Sequence, residues 1–295
     1  MKYKIYKFNF KSAHFGNGIL ASSEPTFTAD RLYSALFLEA MKLHREKEFL
    51  ELTKENKFRM SDSFPYMGEP YLPLPLEIPL GILEQSNLKK KYQDQELLKQ
   101  VEYLPISLWK KFWSGDLTVD ELINYQSDLF TTETFVKKGK DPFNIGVNYY
   151  GKTTLYIIAT ESELLDTLLI SLQYSGLGGK RSSGHGAFKL EKMDLPAFFK
   201  NKLKFSGRKS LLLTTSLPRD EELDEALVDS KYSLVRRSGY VYSESAKKML
   251  RKKILYKLKA GSVFSYTYQG GIYDIRPQYF EHPVWSYSKA LFYQI

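Results

Sequence analysis

An α+β fold in two successive domains is predicted from three observations. Strand-like and helix-like runs alternate through the first 200 or so residues, a polar linker follows, and a second strand-and-helix cycle begins after it. The opening run 2–10 alternates Tyr3, Ile5, Phe8 and Phe10 with polar neighbours, the period-two pattern of a half-buried strand. The loop HFGNG, residues 14–18, comes next. Beyond it Leu32, Ala35, Leu36, Leu38 and Leu43 recur near helical spacing behind a start signal at Thr28 or Asp30. Between Phe64 and Gly81 stand Pro65, Pro70, Pro73, Pro75 and Pro79, which predict extended or irregular chain across the surface, since proline brings no N–H to a ladder. The lysine-rich NLKKKYQDQELLKQ reads as a solvated helix or a mobile insertion. Turn signals at Gly139, Asp141 and Gly151 predict a hairpin that runs on into a buried strand over 153–159.

A second helix, ESELLDTLLISLQYS, and a strand, AFKLEKM, complete the order strand, helix, strands, helix, strand. That is the split β-α-β layout of a ferredoxin-like domain. The linker FFKNKLKFSGRKS sets the boundary near residue 200, giving domains over 1–200 and 201–295. The second cycle reads SLLLTTSLP as a strand, DEELDEALVD as a short amphipathic helix, and then several strands to SKALFYQI.

Composition narrows the function classes. In 295 residues, 43% are hydrophobic and 15% aromatic, enough for real cores. Lys and Arg number 43 against 34 Asp and Glu, a balance of +9 that leans toward a polyanionic partner. With no cysteine, disulfides, thiolate catalysis and thiolate-bound zinc are excluded. The N-terminal MKYKIYKFNF does not build a signal-peptide core and no apolar run is long enough to span a bilayer, so the expected location is the cytoplasm.

The densest motif is SGLGGKRSSGHGAFKLE, residues 175–191. Gly176, Gly178, Gly179, Gly184 and Gly186 surround Lys180, Arg181, Ser182 and Ser183, with no carboxylate before the end. A nucleotide-triphosphate loop needs glycine five residues before its Gly-Lys pair, but Tyr174 stands there; the dinucleotide pattern needs a third glycine where Arg181 stands. What remains is a backbone-rich concavity with cations and hydroxyls, suited to a sugar-phosphate chain; a plain turn packing helix to strand is the alternative. From Lys231 to Ala260 ten basic residues face one acid, Glu244. Such a cluster should attract RNA or an acidic partner surface, the alternative being a solvated strand face; RNA is favoured for Arg236, Arg237 and Tyr240, the run Lys247 to Lys253 is left open, and Arg276 serves either the fold or RNA, a pairing with Asp274 or Glu281 being equally open. Phe143 and Ile145 near a hairpin tip suit a wedge between nucleotides or a contact with a neighbouring subunit. His14 or His185 would be the general acid or base of a ribonuclease, although no base, acid and oxyanion stabiliser occur at recognisable spacing. No metal-ligand spacing surrounds any of the four histidines.

The order HFG, SSEPTFTADRLYSAL, SLQYSGLGGKRSSGHGAF, RRSGY, AGSVFS and DIRP resembles the RAMP superfamily of CRISPR RNA-binding proteins. More narrowly it resembles the Csm-type subunit that holds the 5′ end of the guide RNA in type III-A effector complexes, the fourth of the Csm proteins. The resemblance covers essentially the whole chain, with residues 85–150 less well matched. It implies two ferredoxin-like (RRM-like) domains, a glycine-rich loop facing RNA, and a β-hairpin thumb pressed against the guide, near target RNA. It implies docking onto the large polymerase-like subunit and the repeated backbone subunit, with no cofactor and no metal. Gly178, Gly179, Lys180, Arg181, Ser182 and Ser183 would cradle phosphates of the repeat-derived crRNA handle. His14, Phe15, Gly16, Ser22, Ser23 and Arg31 would line the same groove, and Phe143 would be the wedge of the thumb. Such a subunit is not expected to carry a nuclease site. The rival readings are a metal-independent RAMP endoribonuclease that processes CRISPR transcripts, and an adaptor that binds only protein.

Overall fold

The computed structural model describes residues 2–84, 88–137, 143–203, 209–244 and 247–295. The turn signals Gly139 and Asp141 and linker positions 204–208 lie outside the described residues. Tyr3–Phe10 forms a strand of a six-stranded antiparallel sheet. The order runs Phe188–Asp194, Tyr3–Phe10, Thr154–Thr160, Phe64–Met67, and is extended by Glu69–Pro73 and Tyr103–Pro105. Helices Ala29–Lys42 and Glu163–Ser175 pack together on one face of it. There Tyr6, Phe8, Phe10, Leu155 and Ile157 meet Leu32, Leu36, Leu165, Leu168 and Leu172 in one core.

The opening strand is buried on both faces, where its alternation predicts one. Tyr3 and Ile5 on the second face join Tyr156 and Ile158 in a core with Leu211, Leu213, Val263, Leu291 and Tyr293 from the C-terminal half. The second half therefore covers the sheet and shares its apolar interior. The proline-rich stretch also differs from expectation: it is extended, but Phe64–Met67 and Glu69–Pro73 pair within the sheet, with Phe64, Tyr71 and Leu72 buried. Short strands accommodate proline where its missing N–H faces no partner.

Residues 74–128 hold a helical insertion, with helices Leu80–Glu84, Leu88–Leu98, Trp109–Ser114 and Val119–Ser127, of which the sequence anticipates the second. Ile82, Leu98, Leu104, Leu108, Phe112, Leu117 and Leu122 give it a core of its own. Its last helix starts with a capping box, Thr118 with Glu121. The lysine-rich segment is its second helix. Thr131–Lys137 and Phe143–Tyr149 form the expected hairpin, joined at its base by Ser12–Ala13.

In the C-terminal half Ser210–Leu212 lies between Val263–Phe264 and Phe292–Gln294. Its one α-helix among the described residues is Leu223–Leu227, and the rest is two-stranded ribbons. The α+β class holds, while the described residues of this half show no second α-helix to match the first cycle.

Buried polar groups stitch the halves together. Asp62 accepts from the Ala29 N–H (2.8 Å) at the start of the first helix and from the Thr215 N–H (3.0 Å) and hydroxyl (2.6 Å), and burial pushes its pKa up. Asp30 accepts from the Tyr287 N–H at 2.8 Å and lies 3.4 Å from the fully buried Lys257 ammonium. Lys289 donates to the carbonyls of Thr53 (2.9 Å) and Glu55, capping the end of helix Glu46–Lys54.

Burial, aided by the charges of Arg59 and Arg219, pushes the Lys289 pKa down from 10.5 to about 7. A neutral amine still has two N–H donors for those two carbonyls. Between the two pKa values the unfolded chain holds a proton that the folded chain has released, so this residue makes stability rise with pH across that window. The wild-type urea midpoint is expected to climb from pH 7 to pH 9, and the climb to shrink in Lys289→Met. Equal slopes in both proteins would show that Lys289 keeps its proton when folded.

Candidate nucleic-acid interface

The glycine loop begins where helix Glu163–Ser175 stops, at Gly176 with φ +72° and its N–H on the Leu172 carbonyl (2.8 Å). The loop then lies down on residues 12–14. The Gly179 N–H donates to the His14 carbonyl and the Gly186 N–H to the Ser12 carbonyl, each at 2.8 Å, while buried Leu177 donates to the Gly186 carbonyl at 2.9 Å. Two positions require glycine for this approach. At Gly178, φ is +101° and a Cβ would stand 2.7 Å from the His14 carbonyl oxygen; at Gly186, φ is +82° and a Cβ would overlap the Leu177 carbonyl oxygen.

Beyond this clamp the loop projects as a short tip. Lys180 takes a left-handed conformation, Arg181–Ser183 make one tight turn, and Gly184 closes it with φ +88°. Arg181, Ser182 and Ser183 are exposed. The Arg181 guanidinium reaches back to the Ser175 carbonyl (3.2 Å), a cation at a helix C-terminus. The Lys180 ammonium lies 4.9 Å from the centre of the Phe143 ring, a cation–π contact that joins the loop to the hairpin. Phe135, Val136 and Phe143 leave the outer part of that hairpin apolar and exposed, with Ile145 partly covered.

Two predicted groove residues turn inward. Phe15 is fully buried, its ring edge-on to Phe10 and Phe27 at 5.6 and 5.4 Å, so it offers no face to a base. His14 is also buried; its Nδ1 lies 2.7 Å from the Gly146 carbonyl, and its ring packs under Gly179. His185 is engaged by the Ser12 hydroxyl at 2.9 Å. Ser23 is spent on structure, its hydroxyl accepting from the Phe15 N–H (2.8 Å) and the Asn148 amide (2.7 Å). Ser22 donates to Asn17 at 2.6 Å within its own loop. Gly146 and Asn148, absent from the sequence-level candidates, tie this loop to the hairpin: a Cβ at Gly146 would stand 2.7 Å from the Ala21 carbonyl oxygen.

Arg31 is the link to the C-terminal half. Its guanidinium donates to the Gly16 carbonyl beside the loop, and it lines two clefts. One, of about 630 Å³, runs between the first helix and the glycine loop past Leu38, Gly178 and Arg181. The other, of about 800 Å³, holds Arg237, Lys259, Glu24 and Glu102. Burial and the positive charge of Arg237 push the Arg31 pKa down to about 10. The Nε of Arg237 is buried without a hydrogen-bond partner among the described residues. Two like charges with a spare donor at one cleft form a place that an anion would relieve.

Along the strand Leu234–Arg237 side chains alternate, so Arg237 is half-buried and Arg236 projects outward opposite Tyr256. Tyr240 is 70% exposed. Counting charges along this segment overstates its surface, because Lys257 is buried against Asp30, Ser286 and the Tyr287 carbonyl. Arg276 pairs with the Asp274 carboxylate (2.6 Å) and the Glu281 carbonyl (2.7 Å). Among the described residues no cluster of three or more His, Asp and Glu is placed to hold a metal ion, and no helix is long and apolar enough to cross a membrane.

Fold and site together define an α+β protein that presents a cationic glycine loop beside a projecting hairpin. The model of the CRISPR Csm4 C-terminal domain matches residues 206–295. The chain is 39% identical to the CRISPR system Cms protein Csm4 of Streptococcus thermophilus, over 100% of this chain and 99% of that protein. It is 37% identical to the protein of the same name from Mycobacterium tuberculosis H37Rv, over 99% and 97%. The chain belongs to the Csm4 family of CRISPR proteins. Its fold is similar to a chain of the Csm3–Csm4 subcomplex of the type III-A CRISPR-Cas interference complex, with TM-score 0.67 and 17% identity over 99% of each chain. A chain of the Csm1–Csm4 cassette in complex with pppApA is similar too, with TM-score 0.64 and 14% identity over 100% of this chain and 98% of that one.

Proposed function

We propose that this chain is a non-catalytic, cytoplasmic RNA-binding subunit of a type III-A CRISPR effector complex that caps the repeat-derived 5′ handle of crRNA. The observation that carries the reading is the glycine loop clamped on residues 12–14, with half-buried Lys180 and exposed Arg181, Ser182 and Ser183 at its tip, connected through Arg31 to Arg237. Cations and hydroxyls at the tip hold phosphates, and the paired arginines take the strand onward toward Arg236 and Tyr240. The hairpin is the thumb, its Phe143 positioned by Lys180 to press against the guide close to target RNA. Two ferredoxin-like units underlie the chain, the first complete and the second reduced to one short helix. Family membership and the fold shared with chains of Csm3–Csm4 and Csm1–Csm4 assemblies support docking onto a backbone subunit and a large subunit. The work is positional: the guide's 5′ end is fixed so that the other subunits assemble from a defined start.

Against the rival ribonuclease reading, which named His14 or His185, buried His14 holds the Gly146 carbonyl and supports the loop. The test is the full chain against end-labelled RNA with an intact or scrambled 5′ handle. Preference for the intact handle with the RNA left uncut supports capping. Metal-independent cutting lost in His14→Ala would make the chain a processing nuclease, and binding without handle preference would remove the capping role.

A further inference from the structure

We infer that the outer face of the ribbon Tyr240–Ser243 with Lys248–Arg251 is a second contact for single-stranded RNA, a platform on which unpaired bases stack against Tyr240 and Tyr242. The inference rests on the RNA-binding reading above and extends it to residues away from the glycine loop. In the register Tyr240 stands opposite Arg251 and Tyr242 opposite Met249, so these four side chains share one face. They are exposed, Tyr242 at 57% and Met249 at 65%. The opposite face is the packed one: Ser243 is buried with its hydroxyl 2.9 Å from His282 Nε2, and Val241 and Leu250 are half-buried.

Two aromatic rings two residues apart on a strand lie about 6.7 Å apart along it. They present successive flat faces on one side of the ribbon, as sequence-tolerant binding of unstacked bases requires. Of the cations in this segment Arg251 shares the face of the rings, and exposed Lys247 and Lys253 flank its strand, with Glu244 the one acid in the sequence between Lys231 and Ala260. Neither tyrosine hydroxyl nor the Arg251 guanidinium has a hydrogen-bond or ion-pair partner among the described residues. Rings interleaved with cations match the base-and-phosphate repeat of RNA; an acidic protein surface would answer the cations and leave the rings unused. The path is continuous, since Arg237, two residues before Gly239, lines the cleft with Arg31, which reaches Gly16 beside the glycine loop. A strand held at the loop is led toward this ribbon.

The experiment compares full-length wild type, Tyr240→Ala/Tyr242→Ala and Tyr240→Phe/Tyr242→Phe by fluorescence anisotropy. The probes are single-stranded RNAs of one 5′ handle alone and of the handle extended by guide sequence. The alanine pair is expected to weaken binding of the extended RNA about tenfold or more, to weaken binding of the handle alone by less, and to keep the salt slope. The phenylalanine pair should bind like wild type, because stacking needs the ring and not the hydroxyl. Wild-type affinity in the alanine pair would overturn the platform, as would unchanged RNA binding coupled to lost association with the other subunits, which would make the face a protein contact. If wild type binds neither RNA, the RNA-binding reading itself fails, a result separate from either outcome.

Discussion

Replacing Lys180 and Arg181 together with alanine is expected to lower affinity for handle RNA about tenfold at physiological salt and to flatten the salt dependence of binding. Both follow from counterion release: each phosphate contact on a single strand contributes about 0.7 to the slope of log K against log salt, so two lost contacts remove about 1.4. The geometry makes the pair informative. The backbone beneath the tip is held by the Gly179 and Gly186 amides on residues 12–14, so the tip is supported whatever side chains it carries. Arg181 has a second task at the Ser175 carbonyl, which Lys180 does not share. Lys180→Ala alone therefore isolates charge, with an expected slope change of about 0.7 and little change in melting temperature beyond the loss of one cation–π contact with Phe143. Anisotropy titrations between 50 and 300 mM salt provide the check. An unchanged slope in the double variant, with lost association with a protein partner, would convert the loop into an adaptor surface.

What could be read in the residues was whatever lies contiguous along the chain. The glycine loop, the opening strand, both long helices and the hairpin announce themselves through local pattern, and the first β-α-β cycle emerges from their order. The site was legible where its parts share one stretch, as in Lys180 to Ser183, and illegible where they meet across the fold. Gly146 and Asn148 touch residues more than a hundred positions away, and nothing near them in sequence marks those contacts. The resemblance puts Phe15 in the RNA groove at the end of the first strand, but its ring completes the aromatic core under the loop. Charge counting failed at Lys257 for a similar reason: it is buried against Asp30, Ser286 and the Tyr287 carbonyl, partners that nothing near it in sequence marks. Apart from the lysine-rich Leu88–Leu98, the helices of the insertion run 5 to 9 residues, too short for periodicity to stand out from noise.

Gly186→Ala is expected to be the most damaging single methyl group in the site. A residue at φ +82° pays about 1 to 2 kcal/mol for carrying a Cβ in the left-handed region. Here the Cβ also overlaps the Leu177 carbonyl oxygen, the next residue's neighbour across the loop, so the backbone must move rather than a flexible side chain. That movement pulls the Gly186 N–H off the Ser12 carbonyl and the Leu177 N–H off the Gly186 carbonyl. Each bond contributes about 1 kcal/mol net, giving a total loss of about 3 kcal/mol or more. Gly184→Ala is the matched comparison, with φ +88° but nothing within 4 Å of the added Cβ; it should cost only the conformational part, about 1 to 2 kcal/mol. Urea denaturation of the two variants separates overlap from conformation. RNA binding should follow the same order, since Gly186→Ala lifts the whole loop from residues 12–14 while Gly184→Ala disturbs only its tip. If both variants lost stability and RNA affinity equally, the clamp would not be what positions the loop, and left-handed backbone alone would account for its glycines.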